Sequence, residues 1–223
     1  MHWLDVCGPP GSGKSTLCDA FWPPHAVPIE HRLLPPVAWH DFLNEIGRLF
    51  WLIREHPSFD AAVRMNNRSI RKIATVARMA GEGPYIQTAL VQRGLGFGWR
   101  MNEIGIDLNE LRHFFRLMPV SIGVAVARCP AEIVKQRNFQ REQVKATAHE
   151  NRAFMHDLML PAIELALEVL RARGVPIVEI DTTQPIDVAR KQLVEFAGQE
   201  PFDASQGRLG GEVAVLSPPV WWR

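Results

Sequence analysis

Gly8-Pro9-Pro10-Gly11-Ser12-Gly13-Lys14-Ser15-Thr16 is the stretch whose reading decides the fold. It fits G-x-x-x-x-G-K-[ST], with Gly8, Gly13, Lys14 and Ser15 at the fixed places. A loop that wraps a polyphosphate must turn successive backbone N–H groups inward, and glycines permit that close approach. A helix opening near Gly13 adds its N-terminal partial positive charge. In such a loop Lys14 reaches the β- and γ-phosphates and the Ser15 hydroxyl ligates Mg²⁺. The flanks agree: Trp3 to Cys7 reads as a short strand, and Ser15 to Phe21 as a helix.

Outward from this loop, the bulk properties set limits. A chain of 223 residues, 47% hydrophobic and 22% charged, suits one buried α/β domain, with room for a small insert. The net charge of +1 argues neither for nor against nucleic acid. No apolar run approaches membrane-spanning length. The first strand starts almost at once, so no signal peptide is expected. Cys7, Cys18 and Cys129 have no C-x-x-C spacing, so a reduced, cytoplasmic chain is expected. The histidines include no H-E-x-x-H, and His149 and His156 have no third ligand placed with them.

Downstream, Ala26 to Glu30 is a candidate second strand, with Pro28 suited to an edge. Residues 37–56 carry helical spacing at Phe42, Ile46, Leu49, Phe50 and Ile53. A second helix is expected from Phe59 to Ala80, with Val63, Ile70, Ile73, Ala74 and Ala77 as its buried stripe. Arg64, Arg68, Arg71 and Arg78 gather on another face. Between Pro57 and Arg100 there are seven basic residues against two acidic ones. That pattern suits a solvated helix face, and it equally suits a surface that tracks phosphates.

Tyr85 to Val91 reads as a buried strand, and Gln92 to Gly98 as a flexible glycine-rich exit. A short helix is expected at Leu108 to Leu117, a buried strand at Val120 to Ala127, and a helix opening at Cys129-Pro130. A long amphipathic helix follows from Asn151 to Arg173, then a strand at Val175 to Ile180 and a last helix at Pro185 to Ala197. Residues 199–223 read as a tail. Alternating strands and helices imply an α/β domain with a mostly parallel sheet, and place the site at the carboxyl ends of the strands.

On these motifs the chain resembles the P-loop kinases of the nucleoside-monophosphate and thymidylate kinase type, over about residues 1–198. The resemblance implies a P-loop NTPase three-layer sandwich with a five-stranded, mostly parallel sheet in the order 2-3-1-4-5. It also implies a helical acceptor-binding region at about 37–81 and a helical lid at about 130–150. Arg137 and Arg141 fall where such kinases carry lid arginines. Glu-Ile-Asp-Thr-Thr-Gln-Pro185 looks like the loop that touches the adenine ring. Glu30 occupies the place of an acceptor-activating carboxylate after the second strand. One departure stands out: such kinases usually carry an acidic residue at the end of the third strand, and here Gln87 and Thr88 stand there. A neutral side chain contributes no charge to hold Mg²⁺. Asp5 and Glu30 are the candidates to replace it, and Asp5 is equally readable as a paired structural carboxylate.

The resemblance implies ATP as donor, Mg²⁺ as cofactor and a hydroxyl or phosphate as acceptor. ATP is expected along Gly8, Pro9, Pro10, Gly11, Ser12, Gly13, Lys14, Ser15 and Thr16, with Lys14, Arg137 and Arg141 neutralising charge on the transferring group. The size and plan are similar to those of phage P-loop kinases that phosphorylate 5-hydroxymethyluracil within DNA during thymidine hypermodification. That acceptor would use Arg64, Arg68, Arg71 and Arg78 as its track, in the host cytoplasm if the chain is phage-encoded. A nucleotide or small-molecule kinase and a nucleotide-binding regulatory NTPase are the alternatives. No membrane partner is expected, and the oligomeric state is open.

Overall fold

The computed structural model describes residues 3–19, 36–79, 85–119, 123–144 and 152–198. Four strands, β1 (Trp3–Cys7), β2 (Tyr85–Gln87), β3 (Gly123–Arg128) and β4 (Ile177–Asp181), form a parallel sheet in the order β2-β1-β3-β4. These correspond to the 3-1-4-5 part of the expected order. The expected second strand, with Glu30, lies outside the described residues, as does the tail 199–223.

Strand periodicity builds the layers. Along β1, Leu4 and Val6 point to one face of the sheet and Cys7 to the other. On the first face they meet Ala125, Ala127 and Ile180, covered by Leu17 of α1 (Lys14–Asp19) and by Ala189 and Leu193 of α8 (Ile186–Gly198). On the second face Cys7, Val124 and Val126 join a larger core. Its helices are α2 (Pro36–Leu52), α3 (Phe59–Met79), α4 (Leu90–Glu103), α5 (Leu111–Leu117) and α7 (Arg152–Ala172). Helices on both faces of a parallel sheet make a three-layer sandwich. Helix α6 (Ala131–Val144) leads out of β3 and packs against α7. Helix α7 stops in a Schellman turn: the Val175 amide donates to the Leu170 carbonyl at 3.0 Å and the Gly174 amide to the Arg171 carbonyl at 2.9 Å.

Two expectations fail around residue 90. The strand expected to reach Val91 ends at Gln87, and the expected glycine-rich loop is the interior of α4. The cause is Asp5. This buried carboxylate accepts the Ala89 amide at 2.9 Å and the Val91 amide at 2.8 Å, and so starts the helix. The glycines are there for close packing. A Cβ on Gly94 would lie 2.5 Å from the Phe115 ring, and one on Gly98 2.4 Å from the Ala162 Cβ.

Smaller differences follow the same logic of packing over pattern. The helix expected at Leu108 begins with a 3₁₀ turn at Leu108–Glu110 before α5. In α3 Ala62 and Ile70 are buried while Val63 is half-buried. No described helix is long and apolar enough to cross a membrane.

Candidate active site

The phosphate loop leaves β1 at Cys7 and enters α1 at Lys14. Gly11 and Gly13 hold φ of 85° and 86°, a left-handed backbone that side chains disfavour. A Cβ on Gly11 would also lie 2.7 Å from Asn138 Oδ1. The Gly13 carbonyl accepts the Leu17 amide at 3.0 Å, the first bond of α1. Lys14 Nζ donates to the Pro9 carbonyl at 3.0 Å, so the ammonium arches over the loop. Ser15 and Thr16 are exposed at its mouth.

Three polar side chains from elsewhere in the chain grip this loop. From α4, Gln92 Oε1 accepts the Gly8 amide at 3.0 Å. From α6, Asn138 Nδ2 donates to the Pro10 carbonyl at 3.1 Å. After β4, Thr182 Oγ1 donates to the Ser12 carbonyl at 2.6 Å and also lies 3.0 Å from the Arg128 carbonyl. The outward-facing loop groups are thereby tied to the sandwich, which leaves the concave side to a ligand. Sequence reasoning missed Gln92 and Asn138. Gln92 read as the start of a glycine-rich exit, and Asn138 as one polar residue in a stretch without a core stripe, a pattern that surface residues share.

Arg137 stands at the centre of the α6 contact. Its Nη2 donates to the Thr182 carbonyl at 3.0 Å, and its Nη1 lies 3.5 Å from the Gly11 carbonyl. Beside it a cavity of about 520 Å³ opens along Gly13, Arg137, Gln140, Thr182, Gln184 and Ala189. A second cavity, of about 350 Å³, lies between Pro9, the end of β3 and α7. Buried His156 lines that cavity, with Nδ1 2.9 Å from Asp157 Oδ1.

Asp5, raised from sequence as a holder of the Mg²⁺ water shell, has both oxygens on helix amides. Burial pushes its pKa up to about 6, against the opposing pull of the Val91 and Ala89 amides and of Arg93. Its place is structural: it joins β1 to the helix that carries Gln92. Thr88 follows β2 and is half-buried, while the Gln87 side chain lies outside the described set. Arg64 and Arg68 are exposed on α3. The side chains of Arg71, Arg78 and Arg141, and all of Glu30, lie outside the described residues.

The chain's own residues fit a nucleotide polyphosphate. Ser12 Oγ is buried with no hydrogen-bond partner among the described residues. The cavity next to Gly13 is roomy enough for a base. A metal ion at this loop would be held by the exposed Ser15 hydroxyl. Among the described residues no cluster of three His, Cys, Asp or Glu side chains is arranged to hold a metal ion.

No protein-family model matches this chain, and no curated protein sequence matches it. Solved structures do. Deoxyadenosine kinase from M. mycoides with bound dATP is similar with a TM-score of 0.53 and 10% identity, over 86% of this chain and 97% of that one. The same enzyme with products dCMP and dCDP bound gives 0.54 and 11%, over 86% and 96%. Shikimate kinase from Acinetobacter baumannii gives 0.44 and 16%, over 90% and 95%. The likeness to the deoxyadenosine kinase structures shows the fold: this chain has an α/β P-loop kinase-like architecture.

Proposed function

We propose that this protein is an ATP-dependent phosphotransferase acting on a hydroxyl of a deoxynucleoside unit. The observation that carries the reading is the loop itself, a left-handed glycine cradle held at Gly8, Pro10 and Ser12 by Gln92, Asn138 and Thr182. A preorganised cradle loses little on binding and directs its amides at developing phosphoryl charge. Bound Mg-ATP supplies the transferable γ-phosphoryl group. Lys14, which donates to the Pro9 carbonyl, would pair with the β- and γ-oxygens, and the Ser15 hydroxyl would hold the cation. Arg137 lies at the cavity wall and neutralises charge there. The cavity at Gln140, Thr182 and Gln184 takes the base. Helix α6 covers the loop through Asn138 and excludes water from its flank.

For the acceptor we favour the 5-hydroxymethyl group of 5-hydroxymethyluracil in DNA. Exposed Arg64 and Arg68 on α3 support a polyanionic acceptor. The deoxyadenosine kinase likeness supports a second reading, a free deoxynucleoside or nucleotide. The test is transfer of labelled γ-phosphate from Mg-ATP to DNA containing 5-hydroxymethyluracil, unmodified DNA, thymidine and deoxynucleoside monophosphates. Label on the modified DNA alone supports the first acceptor. Label on a free nucleoside or nucleotide replaces it with the second. ATP hydrolysis without any labelled acceptor leaves a regulatory NTPase.

A further inference from the structure

The cavity between the phosphate loop and α7 holds a buried polar group that the fold leaves half used. His156, early in α7, is 5% exposed and lines this cavity. Its Nδ1 meets Asp157 Oδ1 at 2.9 Å, and its Nε2 has no hydrogen bond among the described residues. A carboxylate only accepts, so the ring proton sits on Nδ1 and the neutral ring presents a lone pair at Nε2. That atom calls for an O–H or N–H donor. Asp157 stays ionised in this pair: the His156 bond, helped by Lys135 at 3.9 Å, holds its carboxyl below the usual carboxylate range.

The charged groups on the cavity are already paired. Arg128 donates to Glu179 and to Glu164, each at 2.9 Å. Asp181 accepts the Thr183 hydroxyl at 2.7 Å, the Thr183 amide at 2.8 Å and Gln184 Nε2 at 3.2 Å. Those bonds hold its carboxyl below the usual range, which makes it a poor proton acceptor. The Cys129 thiol lies 3.5 Å from Arg137 Nη1. Val126, Ala127, Leu160 and Ile163 supply apolar wall. A phosphate would meet no idle cation here among the described residues, whereas a hydroxyl would meet a lone pair.

Pro9 joins this cavity to the phosphate loop. It lines the cavity, and its carbonyl holds Lys14 Nζ at 3.0 Å, the ammonium that would meet the γ-phosphoryl group. The cavity opens to solvent past exposed Pro130, Asp181 and Thr183, so a ligand can enter. Transfer to a hydroxyl needs a proton acceptor. Asp5 cannot serve, since both its oxygens hold helix amides.

We propose that His156 is the catalytic proton acceptor of the transfer, with the reacting hydroxyl seated at its Nε2 in the cavity beside Pro9. This rests on the phosphotransferase reading, and it moves the acceptor-activating role from the carboxylate expected at Glu30 to an imidazole on α7. The acceptor oxygen bonds the γ-phosphorus as the bond from that phosphorus to the β–γ bridging oxygen breaks. The bridging oxygen keeps the electron pair and leaves with ADP. The hydroxyl proton passes to His156 Nε2, and the imidazolium so formed is paired with the Asp157 carboxylate until it gives the proton to water.

The full chain is assayed for transfer of labelled γ-phosphate from Mg-ATP to the acceptor that the panel identifies, or to water where hydrolysis is the turnover seen. His156→Gly opens a ring-sized hole. Its kcat is expected to fall about a hundredfold or more, with ATP affinity by calorimetry within about twofold. Added imidazole should restore the rate by at least about tenfold, and substituted imidazoles should rescue more as their basicity rises. A ring needed only for packing would be replaced without regard to basicity, and that result overturns the proposal, as does a kcat within about threefold of the wild type. His156→Gln guards against a glycine variant that does not fold. The wild type should lose kcat toward acid pH, where the protonated ring cannot take a proton, and His156→Gln should lack that limb as well as most of the rate. Asp157 beside the ring, Cys129, Arg128 and Asp181 on the cavity and Lys135 on α6 are the same in both proteins, so an acid limb that persists in His156→Gln overturns the proposal. A wild type that binds Mg-ATP yet transfers to no acceptor and not to water defeats the phosphotransferase reading and the proposal with it. An active wild type with equally active His156 variants defeats the proposal alone.

Discussion

Replacing Asp5 by asparagine tests the joint between the sheet and α4. The carboxylate is buried and accepts two helix amides, yet its pKa rises from 3.8 to about 6 because burial outweighs those bonds. The sign follows from linkage. The folded protein holds the Asp5 proton more tightly than the unfolded chain does. The contribution to stability is therefore fully present below about pH 3.8 and lost as pH rises through about 6. A shift of that size is worth roughly 3 kcal/mol in total, of which roughly 2 kcal/mol falls between pH 4.5 and 7.5. The substituted amide does not titrate. It offers one acceptor oxygen where two helix amides need one each, which costs about 1–3 kcal/mol at every pH. Urea unfolding of both proteins at pH 4.5 and 7.5 reads the two effects separately. The wild-type advantage over Asp5→Asn should shrink by roughly 2 kcal/mol from pH 4.5 to 7.5. A difference that stays constant with pH would refute the reasoning about Asp5, and an advantage that grows would reverse its sign.

Further outcomes follow from the same contacts. Gly94→Ala should destabilise by about 1–3 kcal/mol despite the better helix propensity of alanine, because its Cβ would lie 2.5 Å from the Phe115 ring; an unchanged melting temperature would contradict that packing. Gln92→Leu removes the acceptor of the Gly8 amide and should weaken ATP binding about tenfold while the fold survives; calorimetry with ATP and a melting curve decide it. Ala189→Phe should fill the cavity beside Gly13, lowering ATP affinity while leaving pyrophosphate affinity unchanged, and equal loss of both ligands would move the base elsewhere.

The parts of this protein that could be read from sequence are those whose cause is local. Residues 8–16 announce their loop because the glycine spacing, the lysine and the hydroxyl sit next to one another. Helix α7 and strand β3 could be placed from periodicity and an apolar run. Helix α4 could not. Its start is set by Asp5 on a strand far earlier in the chain, and its glycines answer to Phe115 and Ala162 on other helices. Read alone, Leu90 and Val91 look like strand and Gly94 to Gly98 like loop. The grip on the phosphate loop was hidden for the same reason. Gln92, Asn138 and Thr182 act across long separations, and a lone amide or hydroxyl in sequence has no such meaning. Conversely, Asp5 could be read from sequence as a paired structural carboxylate, and the structure supplies its partners: the two amides that open α4.

The central claim is that the Gly8–Thr16 loop holds the triphosphate of ATP. Its most direct test is calorimetric titration of the full chain with Mg-ATP, for the wild type and for Lys14→Ala. The account predicts a single wild-type site and an affinity loss of about tenfold to a hundredfold in Lys14→Ala, the range for a charge-assisted contact to phosphate oxygens. Equal ATP affinity in the two proteins, with both folded, would contradict it.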